Sequence, residues 1–154
     1  MKGYTFKTYD KERMARAVGI ALPISFKQSV EICSFIKNKD VSYAKKILQN
    51  VSEKKFAIPF KRFIRDLGHK KKIGPARYPV KASKQFMKLV QDVEANAQFK
   101  GLNTSSLIIT HVNANKSSKT WRFGRKSRRK MKRTNVEIVV KEVSNADTKK
   151  KLEK

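Results

Sequence analysis

The chain has few of the residues that build catalytic, metal-binding or membrane-spanning sites. Cys33 is its single cysteine, so an internal disulfide is impossible and no CxxC metal pattern exists. It has two histidines, far apart in sequence, and its acidic residues are scattered. No P-loop or dinucleotide fingerprint occurs. No apolar run approaches the roughly 18 residues of a membrane-spanning helix, and neither end carries a signal-peptide or lipidation pattern. We therefore expect no enzymatic activity, no cofactor, no bound metal and no membrane anchor.

Positive charge is what the chain has in excess. Lysine and arginine total 38 against 12 acidic residues, which gives a formal net charge of +26. Charge of one sign on this scale destabilises a compact state by self-repulsion, and a nucleic-acid partner is its commonest explanation. The sequence has no recognisable helix-turn-helix, zinc finger or RNP aromatic pair. Basicity spread over loops and an extension indicates a protein embedded in folded RNA. A free nucleic-acid chaperone or DNA-binding protein is the alternative.

Hydrophobic periodicity predicts a strand and then a helix near the start of the chain. Residues 13–24 are β-prone and end at Pro23. Ser25 and Gln28 have the spacing of a capping box, so a helix is predicted to begin there. Its apolar stripe consists of Phe26, Val30, Cys33 and Ile36, and Ile32 and Phe35 widen it.

A second helix follows after only a few polar residues. Asp40 or Ser42 is placed to cap it. Its apolar face consists of Ala44, Ile47, Leu48 and Val51. Because the connection is so short, we expect the two helices to be neighbours in space.

The third helix, within residues 80–100, has the strongest periodicity of the chain. Pro79 and Ser83 both offer a start, and Gly101 is placed as the glycine that ends the helix. Its predicted core face consists of Phe86, Leu89, Val90, Val93 and Ala97.

Residues 53–81 interrupt the helical pattern with prolines, glycines and many bases. We predict an extended, irregular connection with at most one short helical turn. Long loops of this kind inside a domain are usually functional, and we expect RNA to order this one. Phe60 and Phe63 are predicted to pack into the core.

Two apolar, alternating segments predict a β-hairpin. The first is Leu107 to Val112, with Ile108, Thr110 and Val112 facing one way and Leu107, Ile109 and His111 the other. The second is Val136 to Val143, with Val136, Ile138 and Val140 on one face. Gly124 lies near the midpoint and can take the positive φ that a turn needs. Each arm would then have about 15 residues, well beyond an ordinary strand of about six.

The outer part of this hairpin carries ten lysines and arginines between Lys116 and Arg133 and no acid. The apolar alternation is confined to the base, so we expect the base to pack on the helices and the basic part to leave the domain. Trp121 and Phe123 have little protein core to join there. Stacking on RNA and local packing within the hairpin are both open to them.

The histidines, the helix acids and the single cysteine carry the titratable groups that could have a chemical role. His69 reads as a phosphate contact or a solvated loop residue, and His111 as a cross-strand or RNA-facing polar residue. Glu31, Asp92 and Glu94 lie on predicted helices beside basic residues, so surface ion pairing is the default interpretation. Cys33 sits at a core position of its helix and reads as a small core residue.

Four segments together resemble a known family: LPISFKQSVEIC (22–33), IPFKRFIRDLGHKKKIGPARYPVKAS (58–83), VEANAQFKGL (93–102) and VEIVV (136–140). The chain resembles, over about residues 4–143, the universal large-subunit ribosomal protein numbered twenty-two in the bacterial series and seventeen in the eukaryotic one. The GHKKKIGPARYPVKA block is similar to the archaeal and eukaryotic cytosolic branch. After Arg125 the sequence is more basic than the family pattern, and it looks shorter.

The resemblance implies an α+β fold of three helices on a small antiparallel sheet with a long protruding hairpin. It implies a structural protein of the large ribosomal subunit that binds rRNA, supports assembly and lines the peptide exit tunnel. Its partners would be large-subunit rRNA, neighbouring ribosomal proteins and the nascent polypeptide. The location would be the cytoplasmic ribosome, with nucleolar assembly in a eukaryote.

The candidate site residues follow from the basic segments and this resemblance. Phe123, Gly124, Arg125 and Lys126 are predicted to form the tunnel-facing tip. The predicted rRNA-binding residues are Lys54, Lys55, Lys61, Arg62, Arg65, His69, Lys70, Lys71, Lys72, Arg77, Lys81, Lys116, Lys119, Trp121, Arg122, Arg128, Arg129, Lys130, Lys132 and Arg133. We expect one domain over residues 1–143, with a body of about 1–112 and 136–143 and a hairpin of about 113–135. Residues 144–154 would form a polar tail.

Overall fold

The computed structural model describes residues 4–143, in which three helices cover a three-stranded antiparallel sheet. The predicted polar tail lies outside the described residues. The elements in chain order are β1 (Met14–Leu22), α1 (Phe26–Ile36), α2 (Val41–Ser52), β2 (Ile58–Pro59), β3 (His69–Lys70), β4 (Gly74–Arg77), α3 (Val80–Phe99), β5 (Leu107–Lys116) and β6 (Thr134–Glu142). The main sheet has the order β1-β6-β5. The α+β fold predicted from the sequence is confirmed.

Strand β6 occupies the centre of the sheet and carries the predicted core face. Val136, Ile138 and Val140 are buried against the helices. Both neighbouring strands pair with β6 in antiparallel register. Burying a side chain of this kind stabilises a fold by about 1.5–3 kcal/mol, so the base of the hairpin is anchored in the core.

A register shift changes the predicted faces of β5. The pairing shifts between Ile109 and His111, as a β-bulge does. Val112 and Ala114 therefore face the core on the same side as Leu107 and Ile109. The predicted alternation was wrong beyond this point, because a single extra residue reverses the face of everything that follows it.

The connection between α1 and α2 runs along the outer edge of β5. The Asn38 N–H donates to the Ile109 carbonyl at 2.8 Å, and the Ile109 N–H donates to the Lys39 carbonyl at 2.9 Å. Helix α2 then packs mainly against α3. The prediction that α1 and α2 are spatial neighbours was wrong. Their short connection is hydrogen-bonded to the edge strand β5, and α1 packs mainly against β5 while α2 packs mainly against α3.

The predicted helix boundaries are largely confirmed, but the predicted capping is not. Ser25 and Asp40 are the N-cap residues of α1 and α2, yet neither side chain makes a capping hydrogen bond. Helix α3 begins after Pro79, the first of its two predicted starts. It ends in a Schellman motif, in which the Leu102 N–H donates to the Ala97 carbonyl at 3.0 Å and Gly101 has φ +77°.

The segment predicted to be irregular forms a second small sheet. Strands β2, β4 and β3 pair in that order, and both pairings are antiparallel. The three short strands correct the prediction of an irregular connection, and no helical turn lies between Ser52 and Val80. Phe60 is 1% exposed, which confirms its core role. Phe63 is half-buried and packs edge-on against Phe26, with ring centroids 6.0 Å apart.

Replacing Gly101 by alanine is expected to lower the free energy of unfolding by about 1–3 kcal/mol, because a side chain at positive φ is strained. No atom lies within 4 Å of the added Cβ, so strain is the only cost. Gly68→Ala is the matched control, since its Cβ also meets open space but its φ lies outside the left-handed region. Urea unfolding measures both variants. Equal stabilities would contradict the assigned role of Gly101.

Candidate nucleic-acid interface

A buried carboxylate orders the first basic loop. Glu31 of α1 is 2% exposed. It accepts hydrogen bonds from three consecutive backbone N–H groups: Lys61 at 3.0 Å, Arg62 at 3.0 Å and Phe63 at 2.7 Å. The predicted surface ion pair of Glu31 was wrong, because its partners are main-chain donors inside the protein. The loop that presents Lys61 and Arg62 is thus ordered by the protein itself, without RNA.

The second sheet presents further bases around an open cleft of about 490 Å³, here called the sheet cleft. Lys54, Lys70 and Arg77 line it together with Tyr78. The Lys70 ammonium lies 5.6 Å from the centre of the Tyr78 ring, within the range of a cation–π contact. Strands β3 and β4 pair as a hairpin and thus place lysine and arginine side chains beside an aromatic ring.

Backbone pairing between the hairpin arms continues beyond β5 and β6. The Met131 N–H donates to the Thr120 carbonyl, and the Arg122 N–H donates to the Arg129 carbonyl, each at 2.8 Å. A short 3₁₀ turn, Gly124–Lys126, reverses the chain. Gly124 has φ +65°, as predicted for the turn.

The two aromatic residues of the outer hairpin remain accessible. Trp121 is 60% exposed and Phe123 is 86% exposed. The Lys130 ammonium lies 4.5 Å from the centre of the Trp121 ring, across the pair of arms. Local packing therefore holds one side of Trp121, and Phe123 presents nearly its whole ring to solvent.

A second open cleft of about 500 Å³ lies between the outer hairpin and the body and is here called the hairpin cleft. The outer arms therefore lie beside the body across this cleft. Residues of both parts line it: Pro23, Ile24, Ser25, Gln28, Lys81, Ala82, Arg122, Lys126, Arg129, Lys130, Met131 and Lys132. Gln28 also lines the sheet cleft, so the two clefts adjoin at this residue.

Two polar residues of β6 hold the end of β1 and the connection to α1, in which Ile24 lines the hairpin cleft. The Thr134 hydroxyl donates to the Ile24 carbonyl at 3.0 Å. The Asn135 side-chain oxygen accepts from the Ala21 N–H at 2.8 Å, at a residue with φ +54°. Both bonds fix the chain where it leaves β1 and enters α1.

Nearly all predicted rRNA-binding residues are exposed. Arg133 is the exception and is half-buried. Among residues 4–143 three ion pairs form: Lys45–Glu94, Lys55–Glu53 and His111–Glu137. The Glu94 pair confirms its predicted surface role. Of the predicted rRNA-binding residues, only Lys55 thus pairs its charged side chain with an acid within the described chain.

The remaining titratable candidates have structural surroundings. His111 lies 3.0 Å from the Glu137 carboxylate and stacks on Phe6, which confirms the cross-strand interpretation. Cys33 is buried, and burial raises the pKa of its thiol well above the usual value. Thiolate chemistry is therefore suppressed. His69 is exposed on β3.

The part of the chain that the structure describes contains no cluster of metal ligands and no membrane-spanning helix. There, no three His, Cys, Asp or Glu residues come together as metal ligands. Helices long and apolar enough to cross a bilayer are also absent from residues 4–143. The surface that stands out is the pair of basic clefts with the outer hairpin.

Comparison with known proteins identifies the family. Residues 17–143 match the family described as ribosomal protein L22p/L17e. The chain belongs to this family. It is therefore a ribosomal protein with a structural role and is not an enzyme, and the resemblance drawn from its motifs is confirmed.

Curated relatives match most of the chain. The large ribosomal subunit protein uL22 of Archaeoglobus fulgidus is 41% identical over 144 residues, which cover 88% of this chain and 93% of the relative. The uL22 protein of Picrophilus torridus is 42% identical over 147 residues, with 92% and 97% covered. That of Thermoplasma volcanium is 48% identical over 116 residues, with 75% and 77% covered. These archaeal relatives agree with the branch inferred from the GHKKKIGPARYPVKA block.

Sequence reasoning missed two residues that organise this surface. Glu31 is the only acid of α1, and its burial could not be predicted because glutamate is almost never fully buried unless it is paired. The sequence pattern predicts only a capping role for Gln28, whereas this residue lines both clefts. No sequence pattern places α1 against both the hairpin and the second sheet.

Replacing Glu31 by alanine is expected to lower the free energy of unfolding by about 2–4 kcal/mol, because three backbone donors lose a charged acceptor. Glu94→Ala is the control, since it removes a carboxylate from a partly exposed ion pair with Lys45 and should cost at most about 1 kcal/mol. Urea unfolding compares the variants. A loss below 1 kcal/mol for Glu31→Ala would refute its organising role.

Proposed function

We propose that the chain binds rRNA of the large ribosomal subunit and supports its assembly, with the hairpin tip lining the peptide exit tunnel. The curated relatives are named as large-subunit proteins, and the family likeness supports the same subunit here. The observation that carries the proposal is the surface of exposed bases that lack acidic partners within residues 4–143.

The arrangement of these bases favours RNA as the neutralising partner. Arginine forks and lysine ammonium groups bind phosphate oxygens, and the bases extend over two clefts and both hairpin arms. Exposed aromatic rings accompany these basic side chains, and such rings stack on unpaired nucleobases of RNA. Tyr78 lies beside Lys70, and Trp121 lies beside Lys130. A protein partner would offer neither a regular array of phosphates nor unpaired nucleobases.

The hairpin is long enough for a role at a distance from the body, and we propose that RNA draws its outer arms away from their position beside the body. Its arms run from Leu107 to the turn and back, a span on the order of 50 Å when extended at ~3.3 Å per residue. We propose that residues 113–135 form an extension of a single domain over 1–143. The tip, Phe123 to Lys126, would then contact the tunnel wall and the nascent polypeptide. Neighbouring ribosomal proteins would complete its surroundings in the cytoplasmic ribosome.

Sedimentation of a tagged copy from cell lysate tests this proposal. We expect the protein to stay with large subunits and polysomes through a high-salt wash and to leave them after RNase treatment. A purely electrostatic contact with about ten phosphates has a salt slope near −7 for single strands and would be lost in this wash, so retention would indicate a chain embedded in folded RNA. Release at moderate salt into light fractions would instead favour a free nucleic-acid chaperone.

A charge variant separates RNA binding from folding. Replacing Lys119, Arg125 and Arg128 by glutamine should deplete the tagged protein in large subunits severalfold, because each residue is an exposed hairpin base. The isolated fold should keep its Tm, since the change relieves like-charge repulsion. The control replaces Lys46, Lys84 and Lys88, exposed helix lysines outside the proposed interface. A normal subunit profile with a collapsed Tm would overturn the proposal.

A further inference from the structure

Strand β1 forms one edge of the main sheet, because among residues 4–143 only β6 pairs with it. The Glu142 N–H donates to the Arg13 carbonyl at 3.0 Å, and the register continues from there without a shift as far as Gly19. In an antiparallel pair, alternate residues bond to the neighbouring strand, and the residues between them direct their N–H and C=O groups away from it. Every second residue from Met14 to Ile20 therefore directs its backbone groups to the outer edge of the sheet.

Side chains of the protein satisfy the first part of this edge. The Met14 carbonyl accepts from the Tyr9 hydroxyl at 2.9 Å and from the Lys100 ammonium at 3.0 Å. The Arg16 carbonyl accepts from the side-chain amide of Asn96 at 3.0 Å. This part of the edge is thereby closed to a further strand.

The second part of the edge remains open and is here called the open edge, Val18 to Ile20. No group of residues 4–143 bonds to the outward N–H and C=O groups of Val18 and Ile20. The strand loses its extended conformation at the next residue, Ala21, which has φ +54°. Backbone donors and acceptors of this kind require a partner, and a row of them at a sheet edge is a template for another strand.

We propose that the open edge is a docking site for an extended segment of a second, different protein, which pairs with Val18 and Ile20 as a fourth strand of the main sheet. Such strand addition takes its affinity from main-chain hydrogen bonds and its specificity from alternate side chains. The inference goes beyond rRNA binding, because the open edge lies outside both basic clefts.

The side chains of the open edge match the apolar residues of a strand. Val18 is 40% exposed and Ile20 is 55% exposed. They lie on the face of the sheet opposite the helices, since Ala17 faces the core and successive side chains alternate. Tyr4 lines a shallow depression together with both. A partner strand with β-branched or aromatic residues at every second position would cover this apolar surface.

Helix α3 supplies a floor for the added strand on the other face. It packs mainly against β1 and less against the central strand β6. The side chain of Asn96 reaches past β1 to its outer edge, where it donates to the Arg16 carbonyl. The flank of α3 therefore extends beyond β1, and a strand beside the open edge would be covered on that face by the helix.

The charge of the surroundings favours a polypeptide over a nucleic acid. Residues 17–26 contain no charged residue, and neither lysine nor arginine lines the depression. Its one charged residue is Glu137, an acid that is 5% exposed. Phosphate groups would find no cation there, and they have no N–H groups to offer the outward carbonyls.

Net charge distinguishes a different protein from a second copy of the chain. Each copy carries a formal charge of +26, so pairing of two β1 edges would bring together two strongly cationic surfaces. A neutral or acidic segment meets no such repulsion. The partner is therefore expected to present an uncharged or acidic, apolar-alternating segment.

A photocrosslinker at the open edge identifies its occupant. Ile20→p-benzoylphenylalanine is introduced into the tagged full-length chain, which is irradiated in living cells before lysis and fractionation. We expect an adduct with one defined segment of another protein, mapped by mass spectrometry. The control is Tyr43→p-benzoylphenylalanine, because Tyr43 has a similar exposure of 46% but lies on α2. The control should not form this adduct.

Other adducts would overturn the proposal. A crosslink to rRNA would assign the open edge to nucleic acid, and a crosslink to β1 of a second copy would show self-pairing. A crosslink to residues 1–3 would show that the chain covers its own edge. The absence of any adduct, or the same adduct from the control position, would overturn the proposal equally.

A backbone variant tests whether the crosslinked segment pairs as a strand. The segment is synthesised as a peptide and titrated onto the full-length protein. Val18→Pro removes an outward N–H and no bond to β6, and proline is tolerated at such edge positions. Binding should weaken about fivefold or more, because one backbone hydrogen bond of the pairing is lost. The control, Val18→Thr, keeps the N–H and the branched shape and should leave the affinity nearly unchanged.

Two further measurements complete the test. Equal peptide affinity of the Val18→Pro variant and the unmodified protein, at an unchanged Tm, would contradict strand pairing. In the unmodified protein, the bound peptide should slow hydrogen exchange of the Val18 amide severalfold, and unchanged exchange would contradict the pairing even if the proline variant does not fold. The adduct is sought in every fraction, so failure of the docking site and failure of large-subunit association are distinguishable.

Discussion

Repulsion among the hairpin bases is the constraint on which the rest of the structure depends. Ten bases lie between Lys116 and Arg133 without an acid, and an isolated two-stranded ribbon is marginal in water even without such repulsion. The fold meets this constraint by placing β6, one arm of the hairpin, at the centre of the main sheet. The apolar base of the hairpin is thereby fixed in the core, and the charged part is left for a polyanion to neutralise.

Two buried carboxylates hold backbone segments around the core in place. Glu31 binds three N–H groups of the loop that presents Lys61 and Arg62. Glu137 is 5% exposed and accepts from the Thr5 N–H at 3.0 Å, which ties the start of the described chain to the back of the sheet. In a protein with so few acids, these two carboxylates bind backbone N–H groups and are not available to pair with the charged groups of the surface lysines and arginines. The acids therefore shape the basic surface indirectly.

The sequence predicts those features that depend on local periodicity. The buried face of α3, the burial of Val136, Ile138 and Val140, and the positive φ of Gly101 and Gly124 all follow from spacing or residue type. The bulge in β5 and the separation of α1 from α2 do not, because both result from pairing at a sheet edge. The two clefts could not be predicted either, since each joins segments that only the tertiary fold brings together. The four quoted segments nevertheless indicate the family, because a long sequence match is more specific than the helices and strands that its residues form.

Hydrogen exchange of the hairpin backbone would test most directly whether RNA supplies the missing negative charge. The amides of Arg122 and Met131 report the outer pairing, and that of Ile138 reports the core. In the free protein at low salt, the outer amides should exchange orders of magnitude faster than the Ile138 amide. In purified large subunits they should be protected to a similar degree as Ile138. Strong protection of the outer amides in the free protein at low salt would show that the hairpin is stable without a polyanion, and would contradict the argument.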